Sequence, residues 1–309
     1  MPTIDFRAFK GLGHARPVQP LDPDDINSAV REALAEDIGH GDATTLATVP
    51  ADAVASAVMR AREPLTVAGL ALAETAFRQQ PGSLQIEKHV QDGAHIEAGA
   101  VLLSLSGTAR SILTGERIAL NFVQRLSGIA TLTDRFVRAV EGTHAHILDT
   151  RKTTPGWRRF EKYAVACGGG RNHRFGLFDM VLIKDNHLAA VGQTEGNAVA
   201  AAIQRARKAY PNLKVEVEAD TLEQVAEAAA ANADIVLLDN MAPEILRAAV
   251  EICRGVCQTE ASGGVNLGTV RAIAETGVDF ISVGALTHSA RAVDIGLDFV
   301  TQPTRPRDH

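Results

Sequence analysis

A concentration of positive charge lies in the middle of this chain. The segment 149–187 carries eight basic and four acidic residues, whereas the whole 309-residue chain has a formal net charge of −6. Electrostatic attraction depends on the local potential, so this segment favours a small ligand with several negative charges over an extended polyanion. A solvated basic helix face is the alternative interpretation. The charges alternate with TTPG, CGGG and NH, which are typical of loops, and this favours the ligand.

Two acidic residues end apolar segments further along the chain. Glu218 ends KVEVE and Asp239 ends DIVLLD. Together they could bind a hydrated Mg²⁺ ion or sugar hydroxyls, since magnesium usually takes one or two carboxylates plus substrate phosphates. Glu216 shares the face of Glu218 by the strand period of two. An ion pair with Lys214 or Lys184 is the alternative for these glutamates, more readily for Glu216 than for Glu218.

Two glycine-containing loops could bind phosphate. SGGVN begins at Ser262 and VGAL begins at Val283. Glycines expose backbone N–H groups, a following helix adds the partial positive charge of its N-terminus, and α/β barrels often bind phosphate after their last two strands. A Gly-Gly pair alone is usually only a turn. The position of these loops in the chain favours the phosphate interpretation.

Lys184 and His173 each leave an alternative open. Lys184 ends an apolar segment, and a desolvated lysine there could form a Schiff base, which would make the protein a lyase. The cations Arg151, Lys152 and Arg174 weigh against a lyase, because they require a partner with two or three negative charges. His173 could donate to a carboxylate or serve only a structural purpose.

Six short apolar segments, each followed by a helical pattern, predict a parallel sheet covered by helices. Polar residues stand at nearly every strand end, which favours an α/β fold with a mostly parallel, incomplete barrel of the TIM type. Its site would lie at the carboxyl ends of the strands. Before it, short alternating segments from Ala53 to Leu105 predict a small α+β sandwich. The predicted barrel strands are 146–150, 180–184, 214–218, 234–239, 257–262 and 279–284.

Composition limits the class of protein. Hydrophobic residues make up 46% and charged residues 22% of the chain, which predicts a folded core and excludes disorder. The acidic net charge and the 4% aromatic content argue against nucleic-acid binding, and no apolar stretch reaches the length of a membrane helix. Three cysteines are too few for a disulfide framework, and the N-terminus shows no signal-peptide pattern, so we expect a cytoplasmic protein.

Several strings resemble the quinolinate phosphoribosyltransferase family: TGERIALNFVQRLSGIAT, LDTRKTTPGWRRFEKYAVACGGGRNHRFGLFDMVLIKDNH, VEVEAD, DIVLLDN, EASGGVN and DFISVGALTHS. The resemblance runs from about Asp24 to Phe299. It implies a decarboxylating transfer of ribose phosphate to quinolinate, which yields nicotinate mononucleotide for NAD biosynthesis, and a fold of sandwich followed by barrel. A barrel lyase that uses Lys184, or a divergent phosphoribosyltransferase with another substrate, stays open as the alternative.

The resemblance implies roles for individual residues. Those implied to bind quinolinate, or to bridge it to pyrophosphate, are Thr150, Arg151, Lys152, His173, Arg174 and Lys184. Those implied to contact the ribose hydroxyls and the Mg²⁺ of phosphoribosyl pyrophosphate are Glu218 and Asp239, which with Lys152 and Lys184 form the expected catalytic set. Those implied to hold the 5-phosphate are Ser262, Gly263, Gly264, Val283, Gly284 and Ala285.

The expected domains are a sandwich at 1–115, a barrel at 116–295 and a tail at 296–309. By resemblance, Arg117 would reach into the site of a neighbouring subunit. We therefore expect an obligatory homodimer, which could assemble further, and small-molecule substrates as the other partners.

Overall fold

The structure, a computed structural model, describes residues 18–192 and 198–300. It divides into two compact units, and each is discontinuous in sequence. One contains the described parts of 16–132, 159–168 and 290–309, and the other contains those of 133–158 and 169–289. No helix in the described ranges combines the length and apolar character that a membrane span needs.

The unit that begins near the N-terminus is built on an antiparallel sheet. Its central strands are β1 (Val54–Ala61) and β5 (Val101–Thr108), and its edge strands are β3 (Leu84–Lys88) beside β5 and β12 (Ile295–Phe299) beside β1. Alternate residues of β1 are buried, as the period of two requires when one face covers a core. The short β2 (Leu65–Thr66) and β4 (His95–Ile96) form a separate antiparallel pair.

Helices complete this unit: α1 (Pro23–Ile38), α2 (Ala43–Thr48), α3 (Leu70–Arg78), the first part of α4 (Ala109–Ala139) and most of α5 (Arg158–Cys167). The carboxylate of Asp92 accepts from two backbone N–H groups at the start of α3 and from the Tyr163 hydroxyl of α5 at 2.6 Å. The fully buried Glu161 of α5 pairs with Arg125 of α4 at 2.9 Å. These contacts explain why residues 159–168 belong to this unit.

The other unit is built on six parallel strands: β6 (His146–Leu148), β7 (Val181–Ile183), β8 (Val215–Ala219), β9 (Ile235–Asp239), β10 (Gln258–Ser262) and β11 (Phe280–Ser282). Their order is β6-β11-β10-β9-β8-β7, and within the described residues the edge strands β6 and β7 do not pair. The helices α6 (Asp185–Gly192), α7 (Ala198–Ala209), α8 (Leu222–Ala230), α9 (Pro243–Cys253), α10 (Val270–Ala274) and α11 (Ala285–His288) alternate with the strands. The predicted fold class, with an incomplete parallel barrel, is confirmed.

The compact units differ from the contiguous domains expected at 1–115, 116–295 and 296–309. Strand β12 pairs with β1 from Ala57 opposite Phe299 to Ala61 opposite Ile295, so the start of the expected tail completes the antiparallel sheet. Periodicity identifies a strand but not its partner, and this pairing joins segments more than 200 residues apart. Residues 301–309 of the expected tail lie outside the described residues.

Candidate active site

The predicted polar residues lie along one edge of the parallel sheet. We call this edge the mouth: the carboxyl ends of β6 to β11 and the loops that follow them. Parallel strands end at the same edge, so residues from distant segments meet there. Ser262 at the end of β10 is opposite Asp239 at the end of β9, and Glu218 lies on the next strand, β8. The loops add Arg151 after β6 and Lys184 after β7.

Two arginines form the cationic centre of the mouth. The Nε of Arg151 is buried, and no residue in the described ranges accepts a hydrogen bond from it. Burial and the nearby charge of Arg151 lower the pKa of Arg174, so the two guanidinium groups lie close enough to repel each other. A buried donor without an acceptor beside a second guanidinium is the arrangement expected of an anion-binding site.

Arg158 and Asp179 fix the loops that carry Arg151 and Arg174. The sequence analysis assigned neither residue to the site. Arg158 donates to the backbone oxygen of Phe175 at 2.9 Å and to the Thr153 hydroxyl at 3.0 Å, which ties the loop after β6 to the loop before β7. The carboxylate of Asp179 accepts from the backbone N–H groups of Phe175 at 2.6 Å and Gly176 at 2.9 Å. The protein's own hydrogen bonds therefore fix both loops, and such preorganisation favours binding.

Lys184 forms an ion pair with Glu218. The Lys184 Nζ lies 2.5 Å from the Glu218 Oε2, and the side chains are 47% and 10% exposed. The expectation that Glu216 would pair with lysine more readily than Glu218 is wrong, because Lys184 follows its strand and reaches the carboxylate nearer the mouth. An exposed, ion-paired lysine lacks the desolvation that a Schiff-base lysine needs, which removes the physical basis of the lyase alternative.

The loop after β10 presents backbone donors. A Cβ on Gly263 would lie 2.1 Å from the Asn240 Oδ1, and the φ of Gly263 is +96°, so this position requires glycine. Gly264 has a φ of +60° and open space where a Cβ would stand. Within 18–192 and 198–300, neither glycine N–H finds an acceptor. The next helix, α10, begins only at Val270 and has five residues, so the expected helix-dipole contribution is wrong for this loop.

The loop after β11 lies against Lys152. A Cβ on Gly284 would lie 3.0 Å from the Lys152 Cδ, so the lysine side chain runs past this glycine. The Thr287 hydroxyl donates to the Lys152 backbone oxygen at 2.7 Å, and the Lys152 N–H donates to the Thr150 hydroxyl at 3.0 Å. The N–H of Val283 donates to the backbone of β6 at 2.9 Å, so this N–H is not available to a phosphate.

Below the mouth, His173 lies between two buried glutamates. Its Nε2 is 2.9 Å from the Glu216 Oε2 and 3.5 Å from the Glu260 Oε2. The two glutamates are 0% and 1% exposed. Burial raises the pKa of Glu216 to about 7, and burial together with the charge of Glu216 raises the pKa of Glu260 to about 8. We call these three residues the buried triad.

Glu260 is the member of the buried triad that the sequence analysis missed. A signal for it exists: Glu216 stands two residues before Glu218, and Glu260 stands two residues before Ser262. The strand period of two places both glutamates on the inward face, one layer below the mouth.

Arg117 lies on α4, in the unit built on the antiparallel sheet. Its implied action across a subunit interface stays a prediction. The substrate-binding, phosphate-binding and metal roles implied for His173 and for the mouth residues also stay predictions, except that the N–H of Val283 is already bonded within the protein.

Comparison with known protein families shows which family contains this chain. Residues 129–298 match the C-terminal domain of quinolinate phosphoribosyl transferase, and residues 42–127 match its N-terminal domain. The chain belongs to the quinolinate phosphoribosyltransferase family. The two matched segments join between Ser127 and Ile129, inside helix α4.

Individual relatives agree with membership of the quinolinate phosphoribosyltransferase family. The chain is 45% identical over 294 residues to the nicotinate-nucleotide pyrophosphorylase (carboxylating) of Arabidopsis thaliana, which covers 90% of this chain and 84% of that protein. It is 42% identical to the probable enzyme of the same name from Bacillus subtilis, over 85% and 89%. The solved nicotinate-nucleotide pyrophosphorylase of Francisella tularensis is 42% identical, with a TM-score of 0.86 over 92% of this chain and 99% of that one.

Proposed function

We propose that this protein transfers the ribose phosphate of phosphoribosyl pyrophosphate to the ring nitrogen of quinolinate, releasing pyrophosphate and CO₂ and yielding nicotinate mononucleotide. The observation that carries the proposal is the buried Nε of Arg151, which has no acceptor in the described chain and lies beside Arg174. Quinolinate carries two carboxylates. A dianion of that kind supplies the acceptors that this pair of guanidinium groups requires.

Quinolinate would bind at the arginine end of the mouth. Arg151 and Arg174 would take its carboxylates by paired N–H···O bonds, and Lys184 would contribute a third charge. Lys152, which runs past Gly284, would lie between the substrate and the departing pyrophosphate. Thr150 would act indirectly, because its hydroxyl accepts a hydrogen bond from the backbone N–H of Lys152.

Phosphoribosyl pyrophosphate would bind between the carboxylates of β8 and β9 and the glycine loops. The N–H groups of Gly263 and Gly264, with those of Gly284 and Ala285, would hold the 5-phosphate. Ser262 would add its hydroxyl.

The chemistry of Glu218 and Asp239 fits a magnesium ion bound together with the substrate. Burial and the Glu218 carboxylate raise the pKa of Asp239, so the two acidic groups lie close enough together to share a cation. These two residues would hold Mg²⁺, which supplies charge neutralisation of the pyrophosphate group.

The proposed reaction needs positioning and charge stabilisation and no covalent nucleophile. The pyridine nitrogen attacks the anomeric carbon as the bond to pyrophosphate breaks, so positive charge develops on the ribose. Glu218 and Asp239 would lie close to that charge and stabilise it. The pyridinium ring then takes up the electron pair that the C2 carboxylate leaves behind as CO₂. This reaction requires cations that bind the anionic groups of the substrates and carboxylates that lie near the ribose.

The test supplies phosphoribosyl pyrophosphate and Mg²⁺ with either quinolinate or nicotinate, and follows CO₂ release and nucleotide formation. We expect turnover with quinolinate alone. Turnover of nicotinate without CO₂ would reject the decarboxylating reaction. The variant Arg174→Ala should lose activity without unfolding, whereas Arg254→Ala, at the exposed end of α9, should retain it.

Arg117 offers a test of the proposed homodimer. If each site takes its Arg117 from the other subunit, Arg117→Ala and Arg174→Ala should both be inactive alone. Mixing them in equal amounts under conditions of subunit exchange should restore activity at about a quarter of all sites, since half of the dimers are mixed and each has one intact site. No recovery in verified mixed dimers would place Arg117 in its own subunit's site.

A cytoplasmic location stays a prediction from the cysteine content.

A further inference from the structure

Both ring nitrogens of His173 are engaged within the protein. The backbone N–H of Arg174 donates to the Nδ1 at 2.7 Å, and because a backbone N–H can only donate, this Nδ1 carries no proton. The ring proton is therefore on Nε2, which donates to Glu216 at 2.9 Å. The imidazole is neutral, and a hydrogen bond at each ring nitrogen fixes its orientation. It links the buried glutamates directly to the backbone of Arg174.

The two glutamates cannot both be ionised at low cost. They are almost completely buried, with carboxyl oxygens within 4.8 Å of each other, and in the described chain one oxygen of Glu216 and both oxygens of Glu260 lack a donor, which a proton on Glu260 would supply to Glu216. A proton on Glu260 leaves one negative charge in the buried triad, and the Glu216 Oε2 accepts from the Nε2 of His173 at 2.9 Å. The elevated pKa of Glu260, about 8, agrees with this assignment.

A metal ion is the other group that could occupy the buried triad, whose ligand atoms lie within 4.8 Å of one another. A metal would need the lone pair of the His173 Nε2. That lone pair exists only if the proton moves to Nδ1, where it would oppose the Arg174 N–H. The guanidinium groups of Arg151 and Arg174 would also repel a cation. The geometry therefore favours a proton over a metal.

We propose that Glu260, as a neutral carboxylic acid, is a positioning residue for quinolinate: with Glu216 it holds His173 as the Nε2–H tautomer, and His173 in turn holds Arg174 in place for a substrate carboxylate. Glu260 acts through His173 and does not touch the substrate. This role rests on the proposed function, but its structural part can be measured without turnover.

The first test is the tautomer of His173 in the intact protein. ¹⁵N spectra of histidine-labelled protein, with the His173 signals assigned by comparison with His173→Gln, should show a protonated Nε2 and a bare Nδ1. Glu260→Gln, which is neutral and keeps a donor to Glu216, should leave the Nε2 chemical shift of His173 unchanged, whereas Glu260→Met removes that donor and should move this shift. An imidazolium, an Nδ1–H ring, or a stoichiometric metal ion found by elemental analysis would overturn the proposal.

The second test separates positioning from simple packing. Glu260→Met should raise the KM for quinolinate about tenfold, the loss expected for one hydrogen bond, and leave the KM for phosphoribosyl pyrophosphate unchanged. Glu260→Gln should restore the quinolinate KM to within about threefold of the original. Thr259→Val, which removes a buried hydroxyl from the same strand, serves as the matched control and should change thermal stability but neither KM. Equal impairment of the Gln and Met variants would show that a charge is required, and an unchanged KM in a folded Met variant would show that Glu260 positions nothing.

Discussion

Replacing Glu260 by glutamine should change how the stability of the protein depends on pH. In the folded chain, burial and the charge of Glu216 raise the pKa of Glu260 to about 8 from the ordinary value of 4.5. Between those two values the unfolded chain has lost this proton and the folded chain still holds it. The native state therefore binds more protons, and its stability must fall as the pH rises through this window.

The magnitude follows from the linkage relation. One proton contributes about 1.4 kcal/mol for each pH unit, so Glu260 should lower the free energy of unfolding by roughly 2 to 3 kcal/mol between pH 5.5 and 7.5. Glutamine has the same shape and no titrating proton. The variant should therefore lack this part of the slope, and its stability relative to the original chain should increase with pH and level off near pH 8.

Urea unfolding at several pH values between about 5.5 and 8.5 measures this difference directly. Glu227→Gln, on the exposed face of α8, is the matched control and should show the same slope as the original protein. Parallel curves for Glu260→Gln and the original chain would refute the reasoning, because they would mean that Glu260 gains no proton on folding. A constant loss at every pH would indicate a packing defect alone.

Three further substitutions test the loops of the mouth. Gly263→Ala places a Cβ against Asn240 at a φ of +96°, and should lower stability by about 1 to 3 kcal/mol in thermal unfolding and raise the KM for phosphoribosyl pyrophosphate. Gly264→Ala meets open space within the protein, so steady-state kinetics should show a similar KM increase with a smaller loss of stability; an unchanged KM would mean that no phosphate lies there. Asp179→Ala releases the two N–H groups of the loop before β7, and should raise the KM for quinolinate while leaving that for phosphoribosyl pyrophosphate unchanged.

The positions of the mouth residues could be read from the sequence because the fold obeys a simple rule. Near-continuous apolar strands predict a parallel sheet, and a parallel sheet places every strand end at one edge. The predicted strand 234–239 and the observed Ile235–Asp239 differ by one residue. Local periodicity was sufficient there, since neither the strand nor its end depends on a distant partner.

The site features that the sequence does not reveal depend on contacts between distant segments. Glu260 stands in CQTEAS, which alternates weakly, and its importance comes from His173, 87 residues earlier. The sequence favours Glu216 over Glu218 as a lysine partner, and the structure shows Lys184 paired with Glu218, because side-chain reach depends on where each strand ends. In both cases the missing information was three-dimensional distance.

The pairing of β12 with β1 sets the order in which the chain can be completed during synthesis. β12 follows all six parallel strands in sequence, so a ribosome delivers the whole parallel sheet before it delivers this edge strand. Until residues 295–299 emerge, β1 presents an unpaired edge on which another chain could add a strand. The unit that is translated first is therefore finished last, and a nascent chain stalled before Ile295 would leave the edge of β1 open to aggregation.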